Sequence, residues 1–293
     1  MAWLQITFTL TADKVETLTS VLENIGAASV TFLDAQDQPI YEPELNTTPL
    51  WQQTEVVALF EQTESLDNIL NQLKQQCDII PTYRTEIIEE KDWTRVWMDE
   101  FQPMRFGQRT WICPSWHTPP EPDEVNILLD PGMAFGTGTH ETTALCLEWL
   151  DLHADLIKDK ILIDYGSGSG ILAIAALKLG AKQVWCTDID PQALMATRDN
   201  AKNNGVEAGI EVCLADEFQA FQADGLLANI LANPLMGLAE SFHQYLKPDA
   251  PIVLSGILNS QTEAVIESYK PYFVIDEVAV KQDWCRIAAR RVR

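Results

Sequence analysis

A glycine-rich turn is the first feature of this sequence that could carry chemistry. The turn, Asp164 to Gly170, lies between an apolar run that predicts a strand and another that predicts a helix. Glycines permit a tight turn and let a ligand approach the backbone closely. The start of the following helix offers N–H groups that have no intrahelical acceptor. The turn therefore predicts a site for a nucleotide-containing ligand.

The pattern within the turn leaves the identity of that ligand open. Read from Gly166, the dinucleotide pattern G-x-G-x-x-G fails, because Ile171 stands at the last glycine position. Read from Gly168, the pattern is met in relaxed form, with Ala173 at that position. Both a dinucleotide and S-adenosylmethionine are compatible with the turn.

An acidic residue ends the next predicted strand. Asp188 lies 22 residues after Gly166, the spacing at which a carboxylate binds the hydroxyls of a ribose. Asp190 has a structural explanation, because it precedes Pro191 as an N-cap precedes a proline at the first helical position. Asp188 is therefore the candidate ribose ligand.

A carboxamide ends a later strand of the same series. Asn229 has apolar neighbours and no evident capping role, and its side chain offers both a donor and an acceptor that could orient a ligand amine. The Asn233-Pro234 pair repeats the cap-plus-proline pattern and is predicted to be structural. Asn229 is therefore predicted to face the ligand.

A loop rich in glycine and threonine, Asp130 to Thr143, precedes a predicted helix and has the composition of a flexible lid. Thr139 is expected to cap that helix, and Glu141 favours its positive end. A lone histidine without a visible partner is more often structural than catalytic. His140 is kept as a candidate only because this loop is the one expected to close over the ligand.

These side chains need a sheet that brings them to one edge. From residue 104 onward, predicted strands and helices alternate, which indicates an α/β fold with a doubly wound parallel sheet. Ligands of such sheets bind beyond the carboxyl ends of the strands. The strands are predicted at 109–113, 125–129, 160–164, 182–187, 210–214, 225–229, 250–254, 272–280 and 284–290, and the helices at 141–151, 170–179, 191–203, 234–246 and 259–269.

Residues 1–90 predict a different unit, in which nothing suggests catalysis. Their order of strands and helices, βαββαβ, is that of a ferredoxin-like α+β domain. A short helix is predicted to link it to the rest of the chain, with Trp93 and Trp97 as packing residues. The strands are predicted at 4–10, 28–33, 55–60 and 82–90, the helices at 12–25 and 65–76, and the domains at 1–90, 91–103 (linker helix) and 104–293.

The chain is strongly acidic. It has 43 acidic and 20 basic residues and a net charge of −23, which disfavours binding to nucleic acid or to an anionic membrane surface. A basic protein partner would be attracted, although acidity can also serve solubility alone. Residues 1–103 contain 18 acidic and 5 basic residues, a net charge of −13 against −10 for the rest. The N-terminal part therefore has the denser charge.

Cysteine and histidine spacing predicts no metal site. The six cysteines lie far apart, without a Cys-x-x-Cys pair, and the four histidines share no ligand spacing. We expect buried, reduced thiols in a cytoplasmic protein. The sequence starts with no basic segment followed by an apolar one, so no export signal is predicted.

The motifs together resemble the class I, S-adenosylmethionine-dependent methyltransferases. Within that family, the chain is similar to bacterial enzymes that methylate the eleventh protein of the large ribosomal subunit. The loop from Gly132 to His140 is the most specific part, since unrelated methyltransferases lack it. The resemblance spans nearly the whole chain, through 91–116, 129–143, 164–170, 188–193, 229–235, 255–258 and 284–286.

This resemblance implies S-adenosyl-L-methionine as cofactor and a basic ribosomal protein as substrate. The methylated groups would be an N-terminal α-amine and lysine side chains, and the N-terminal domain would recognise the substrate. Ser167 departs from the cysteine expected in many relatives, but it keeps a small side chain. No catalytic acid or base is assigned. The implied cofactor ligands are Thr143, Gly166, Gly168, Asp188 and Asn229.

Two other hypotheses compete with a methyltransferase. An NAD-dependent dehydrogenase is allowed by the pattern read from Gly168. A non-catalytic interaction protein with a decayed cofactor domain would make the acidic N-terminal unit the functional part. The intact set of Gly166, Gly168, Asp188 and Asn229 argues against decay.

Overall fold

The computed structural model describes residues 2–38, 40, 47–61, 65–76, 80–89, 101–130 and 140–293. The chain divides into two compact units, residues 1–99 and 100–293. Most of the predicted linker helix at 91–103, with Trp93 and Trp97, lies outside the described residues, as does the loop 131–139. The predicted domain boundaries, after residues 90 and 103, lie in or next to the undescribed residues 90–100 and stay predictions.

The N-terminal unit is a four-stranded antiparallel sheet with two helices. The strands follow the order β2-β3-β1-β4 across the sheet, and every pair is antiparallel. The order along the chain is βαββαβ, as the sequence predicts. The elements are β1 (Trp3–Thr11), α1 (Ala12–Asn24), β2 (Ser29–Asp34), β3 (Gln53–Glu61), α2 (Leu66–Gln76) and β4 (Thr82–Ile88).

Alternation along β1 and helical spacing along α1 build the core of this unit. Ile6 and Phe8, two residues apart, lie on the same face of the sheet and are both fully buried. Val15, Leu18 and Leu22 lie on one face of α1 and are buried against them.

The C-terminal unit contains a seven-stranded sheet in the order β10-β9-β8-β11-β12-β14-β13. The first five strands pair in parallel, and β14 pairs antiparallel with both β12 and β13. The elements are β5 (Met104–Phe106), β6 (Thr110–Cys113), β7 (Val125–Leu128), α3 (Glu141–Leu152), α4 (Ala154–Ile157), β8 (Ile161–Tyr165), α5 (Ile171–Lys178), β9 (Gln183–Asp188), α6 (Pro191–Asn203), β10 (Ile210–Leu214), β11 (Gly225–Asn229), α7 (Ala232–Tyr245), β12 (Pro251–Leu258), α8 (Thr262–Tyr269), β13 (Phe273–Lys281) and β14 (Trp284–Arg291).

Helices cover both faces of the large sheet, as predicted for a doubly wound fold. Adjacent residues of one strand enter different cores: Leu162 packs with α3 and α5, and Ile163 packs with α7 and α8. Because both faces are covered, the central strands read as continuous apolar runs. Helix α5 is buried from Ile171 through Ala176, which explains why it shows no polar face in the sequence.

Two short elements differ from the sequence predictions. Strand β5 and helix α4 were not predicted, because three or four residues show no periodicity. Strands β5, β6 and β7 form a separate three-stranded sheet, and the predicted strands at 109–113 and 125–129 belong to it. This small sheet packs against α3 and α5.

Of the two helix caps predicted beside prolines, one is confirmed and one is wrong. Asp190 caps α6 by accepting a hydrogen bond from Gln192 N at 2.8 Å, with Pro191 next to it, as predicted. The prediction that Asn233 caps the next helix is wrong, because α7 begins at Ala232 with Leu231 as its N-cap. Proline is tolerated throughout the first helical turn, where its missing N–H has no acceptor, so it does not fix the first residue.

Cysteines are mostly buried within the described residues. Cys113, Cys146, Cys186 and Cys285 are buried and unpaired, whereas Cys213 is partly exposed; Cys77 lies outside the described residues. None of the helices that the structure describes is long and apolar enough to cross a lipid bilayer.

Candidate cofactor site

The carboxyl ends of β8, β9 and β11 meet at one edge of the large sheet. Strand β8 pairs in parallel with β9 on one side and with β11 on the other, so the chain order reverses direction beside β8. This is the switch point at which α/β sheets bind ligands. The topology therefore brings Gly166, Asp188 and Asn229 to the same edge, as the sequence predicts.

The glycine turn has a backbone that requires glycine. Gly166, Gly168 and Gly170 have φ angles of +79°, +54° and +77°, values that L side chains rarely adopt. A Cβ on Gly166 would come within 2.3 Å of the Ile230 side chain. Thr187 O accepts the N–H of Gly166 at 2.7 Å, which ties the turn to β9.

Asp188 lies directly against this turn. Its Oδ2 accepts the N–H of Gly168 at 2.9 Å, and its Oδ1 accepts the N–H of Asp190 at 3.1 Å. Both bonds fix the carboxylate, and each oxygen keeps lone-pair capacity for a further donor. The position suits recognition of two neighbouring hydroxyls.

Asp164 is a second acid at the site, and sequence reasoning did not single it out. It is 1% exposed, its Oδ2 accepts the N–H of Ala173 at 3.1 Å, and its Oδ1 is buried without a partner. Burial raises the pKa of Asp164 to about 7; the bond from Ala173 opposes this, and the charge of Asp188 adds to it. The available signal was an acid inside an otherwise apolar strand.

Asn229 and Thr143 contact each other although they are far apart in sequence. Asn229 Nδ2 donates to Thr143 Oγ1 at 3.3 Å, and Thr143 is fully buried in the first turn of α3. Asn229 Oδ1 is buried and has no partner. A buried acceptor without a donor is costly, so it marks a place where a ligand donor would bind.

Ser255 fixes the helix that carries Thr143, and the sequence did not identify this role. It is fully buried and donates to Thr142 O at 3.1 Å. It also lies beside Asn229, as its partner across the β11–β12 pair. The start of α3 is thereby attached to the same sheet edge that carries Asn229.

His140 has a structural role in the described structure. It is the N-cap of α3, where its Nδ1 accepts from Thr142 N at 3.3 Å and lies 2.8 Å from Thr142 Oγ1. Its ring contacts Trp284 edge-on at 4.8 Å between centroids. The prediction that Thr139 caps this helix is therefore wrong; Thr139 itself lies outside the described residues.

Ile189 is an apolar side chain in an unexpected place. It follows Asp188 directly and is 86% exposed. An apolar side chain in water beside a candidate ribose ligand is suited to cover a flat aromatic base. The signal in the sequence was the apolar residue between Asp188 and Asp190.

The electrostatics of this edge favour a cationic ligand. Asp164, Asp188 and Asn229 are all acceptors beside the turn, and Asp164 Oδ1 and Asn229 Oδ1 have no partner. The N–H of Gly168 is already bonded to Asp188, so it is not available to a phosphate. A pyrophosphate would meet the carboxylate of Asp188 and, in its ionised form, that of Asp164, whereas a ligand with positive charge would be stabilised by them. The residues therefore fit S-adenosylmethionine better than a dinucleotide.

Comparison with known proteins identifies a family that matches nearly the whole chain. The family "Ribosomal protein L11 methyltransferase (PrmA)" matches residues 2–292. A ribosomal protein L11 methyltransferase of Pseudomonas fluorescens is 52% identical, with 99% of this chain and 100% of that protein covered. One of Haemophilus influenzae is 51% identical, with 99% of each covered.

A solved structure shows the same likeness. The crystal structure of a ribosomal protein L11 methylase from Lactobacillus delbrueckii subsp. bulgaricus superposes with a TM-score of 0.60 at 33% identity, covering 66% of this chain and 100% of that one. A full-length sequence match and a solved relative thus point the same way. The chain belongs to the ribosomal protein L11 methyltransferase (PrmA) family.

Proposed function

We propose that this protein transfers methyl groups from S-adenosyl-L-methionine to amines of ribosomal protein L11, namely the N-terminal α-amine and lysine side chains. The observation that carries the proposal is the buried, unpartnered Oδ1 of Asn229 at the switch point, beside Thr143. The relatives, which are named as ribosomal protein L11 methyltransferases, support L11 as the substrate.

In this proposal, each site residue contacts a different part of the cofactor. Asp188 binds the two ribose hydroxyls, because both its oxygens are fixed by backbone donors and still have capacity. Gly166 and Gly168 give the turn the positive φ angles that shape it around the cofactor. Ile189 covers the adenine, and Thr143 positions Asn229.

Asn229 orients the acceptor amine. S-adenosylmethionine supplies a methyl group activated by its sulfonium centre, and only a neutral amine can attack it. At pH 7, deprotonating a lysine of pKa ~10.4 costs about 4.6 kcal/mol, and an α-amine of pKa ~7.8 about 1 kcal/mol. Asn229 Oδ1 accepts an N–H of the amine, which directs the nitrogen lone pair, and desolvation favours the neutral form. Alignment can contribute ~7–11 kcal/mol without a general base.

The N-terminal unit supplies recognition in this proposal. Residues 1–103 have a net charge of −13, and charge of one sign attracts a partner of the other over longer distances than a hydrogen bond reaches. A basic ribosomal protein is a partner of the required chemistry. The unit itself needs no catalytic residue for this role.

Incubation with methyl-labelled S-adenosylmethionine and a ribosomal protein mixture tests the proposal. We expect label in one protein, L11, and a rate roughly 100-fold lower for Asn229→Ala, because the amine loses its acceptor. Asn203→Ala, an exposed change at the end of α6, is the matched control and should label L11 at the parent rate. A parent rate for Asn229→Ala, or label in other proteins but not L11, would contradict the proposal.

A thermal-shift comparison tests the competing dehydrogenase hypothesis with the same samples. S-adenosylmethionine should raise the melting temperature and NAD should not, because bound ligand stabilises the folded state and the carboxylate of Asp188 repels a pyrophosphate, as does that of Asp164 when it is ionised. A shift with NAD alone would favour the dehydrogenase.

A further inference from the structure

One face of helix α6 carries three polar side chains that bond to the backbone of other segments. Thr197, Asn200 and Asn204, the last being the C-cap, are spaced by three and four residues and therefore lie on the same face. Thr197 Oγ1 donates to Gly168 O at 3.1 Å, and Asn200 Nδ2 donates to Ser169 O at 2.9 Å. Two successive carbonyls of the glycine turn are thus bonded to one helix.

Asn204 makes the same kind of bond to a different segment. Its Nδ2 donates to Leu128 O at 2.7 Å, and its Oδ1 accepts from Leu128 N at 2.8 Å. Leu128 ends β7 and is not part of the glycine turn. Asn204 can therefore serve as a control for Asn200, because both bond to a backbone but only Asn200 bonds to the glycine turn.

The turn needs these bonds because glycine does not fix its own conformation. Gly168 has a φ of +54°, and glycine visits many other conformations at little cost. Asp188 Oδ2 holds the N–H of Gly168 at 2.9 Å, and Thr197 holds its carbonyl. Rotation of the peptide group after Gly168 would break the bond to Thr197.

Thr197 is also packed against the turn. It is fully buried, its Oγ1 lies 3.2 Å from Ser167 Oγ, and its Cγ2 is 2.9 Å from the point where a Cβ of Gly170 would be. Both the hydroxyl and the methyl group of Thr197 therefore touch the turn, and they can be removed separately.

We infer that Thr197 and Asn200 are positioning residues for the cofactor, which fix the orientation of two successive peptide groups of the glycine turn. The inference rests on the proposed function, in which the cofactor binds at that turn. Helix α6 begins at Pro191, three residues after Asp188, so one helix connects to both the turn and the ribose ligand. Preorganised contacts of this kind increase affinity because less ordering is required on binding.

Calorimetric titration of the full-length protein with S-adenosylhomocysteine tests the inference. Thr197→Val keeps the shape and removes the hydroxyl, and we expect its Kd to rise roughly three- to tenfold, the effect of one lost hydrogen bond. Thr197→Ser keeps the hydroxyl and should bind within about twofold of the parent. In methylation assays the valine variant should raise the KM for S-adenosylmethionine and leave kcat within about twofold.

Asn200→Ala and Asn204→Ala separate positioning from stability. Both variants lose side-chain bonds to a backbone, and both should unfold at lower urea concentration. Only Asn200→Ala should raise the Kd for S-adenosylhomocysteine, again roughly three- to tenfold. If Thr197→Val does not fold, Asn200→Ala and Asn204→Ala still show whether bonds to the turn affect cofactor binding.

The outcomes distinguish the inference from the proposed function. A parent protein that does not bind S-adenosylhomocysteine would overturn the proposed function and the inference with it. A parent that binds, together with an unchanged Kd for Thr197→Val and Asn200→Ala, would overturn the inference alone. An equal loss of affinity in Asn200→Ala and Asn204→Ala would also overturn it, because the effect would then follow stability.

Discussion

The two units of the protein place their polar side chains in different environments. Among the described residues, the N-terminal unit buries two polar side chains, Thr7 and Thr54, and the C-terminal unit buries twelve. The N-terminal part instead has the denser negative charge. Surface charge acts over about a Debye length and is weakened by salt, whereas buried polar groups act at contact distance and are screened little. The first arrangement suits a large partner, and the second suits a small ligand.

Two buried acids in the C-terminal unit show that burial alone does not mark a site. Asp151 is 6% exposed and accepts from Gln108 N at 2.6 Å, Arg109 N at 3.3 Å and Thr110 Oγ1 at 2.7 Å. Asp164 has one bonded oxygen and one without a partner. The satisfied acid stabilises the attachment of β6 to α3, and the half-satisfied one lies at the candidate site.

Removal of the N-terminal unit should have the largest effect. It tests whether that unit recognises the substrate while the C-terminal unit binds the cofactor. Residues 100–293 alone should bind S-adenosylhomocysteine within about twofold of the parent Kd, because every proposed cofactor ligand lies in that unit. Methylation of ribosomal protein L11 should fall by roughly 1000-fold or more, since the recognition surface is lost. Circular dichroism controls for folding. Full activity of the shortened chain would show that residues 1–99 do not recognise the substrate.

Asp188→Ala should weaken cofactor binding by roughly 10- to 100-fold. A hydrogen bond to a charged group contributes about 1.5–3 kcal/mol, and the change also frees the N–H of Gly168. Calorimetry with S-adenosylhomocysteine measures the effect. Asp199→Asn, an exposed change on α6, is the control and should bind as the parent does. Unchanged affinity of Asp188→Ala would remove Asp188 from the ribose site.

The buried acid should make the stability of the C-terminal unit depend on pH. The pKa of Asp164 in the folded protein, about 7, lies above its unfolded value of ~3.9. Its contribution to the free energy of unfolding is complete below the unfolded value and is lost as pH rises through about 7. We expect the parent to lose about 2 kcal/mol between pH 5 and pH 7 relative to Asp164→Asn.

Urea unfolding of both proteins from pH 5 to pH 8 measures this difference. Asp13→Asn, an exposed change in the N-terminal unit, should keep the pH dependence of the parent. If the free energy of unfolding depended equally on pH in the parent and in Asp164→Asn, Asp164 would titrate as an ordinary exposed acid does.

Salt should affect the two units unequally, and this is the smallest effect expected. Between 50 and 300 mM salt, kcat/KM for L11 should fall roughly threefold to fivefold, because surface attraction is screened. The Kd for S-adenosylhomocysteine should change less than about twofold. Methylation that is equally efficient at both concentrations would leave solubility as the role of the acidity.

A charge variant in each unit sharpens the salt measurement. Neutralising three exposed acids of α1 should flatten the salt dependence, and neutralising three exposed acids of the C-terminal unit should leave it unchanged. The two sets are Asp13, Glu16 and Glu23 in α1, and Asp199, Glu207 and Glu211 in the C-terminal unit.

The sequence predicted the elements of both units wherever a periodic pattern was long enough. Helix α6 was predicted at its observed bounds, because Asp190 and Pro191 mark its start and apolar residues recur along it. Strand β5 and helix α4 were too short to show a period. The start of α7 was misplaced because a proline is compatible with several positions of the first turn.

The candidate site was predicted as a set of separate residues. Gly166, Asp188 and Asn229 each follow or end a strand, so a parallel sheet places them together. The bond between Asn229 and Thr143 could not be predicted, since it depends on Ser255 attaching α3 to β12. Whether these residues bind the cofactor stays a prediction.

The sequence by itself determined the fold class, the edge of the sheet that carries the candidate ligands and the family resemblance, because periodicity, turn residues and motif spacing are local along the chain. Only the tertiary structure decided which polar atoms are satisfied. It left Asp164 Oδ1 and Asn229 Oδ1 without partners, and it bonded Thr197 and Asn200 to the glycine turn. A hydrogen-bond partner depends on distances between segments that are remote in sequence, and no local pattern encodes those distances.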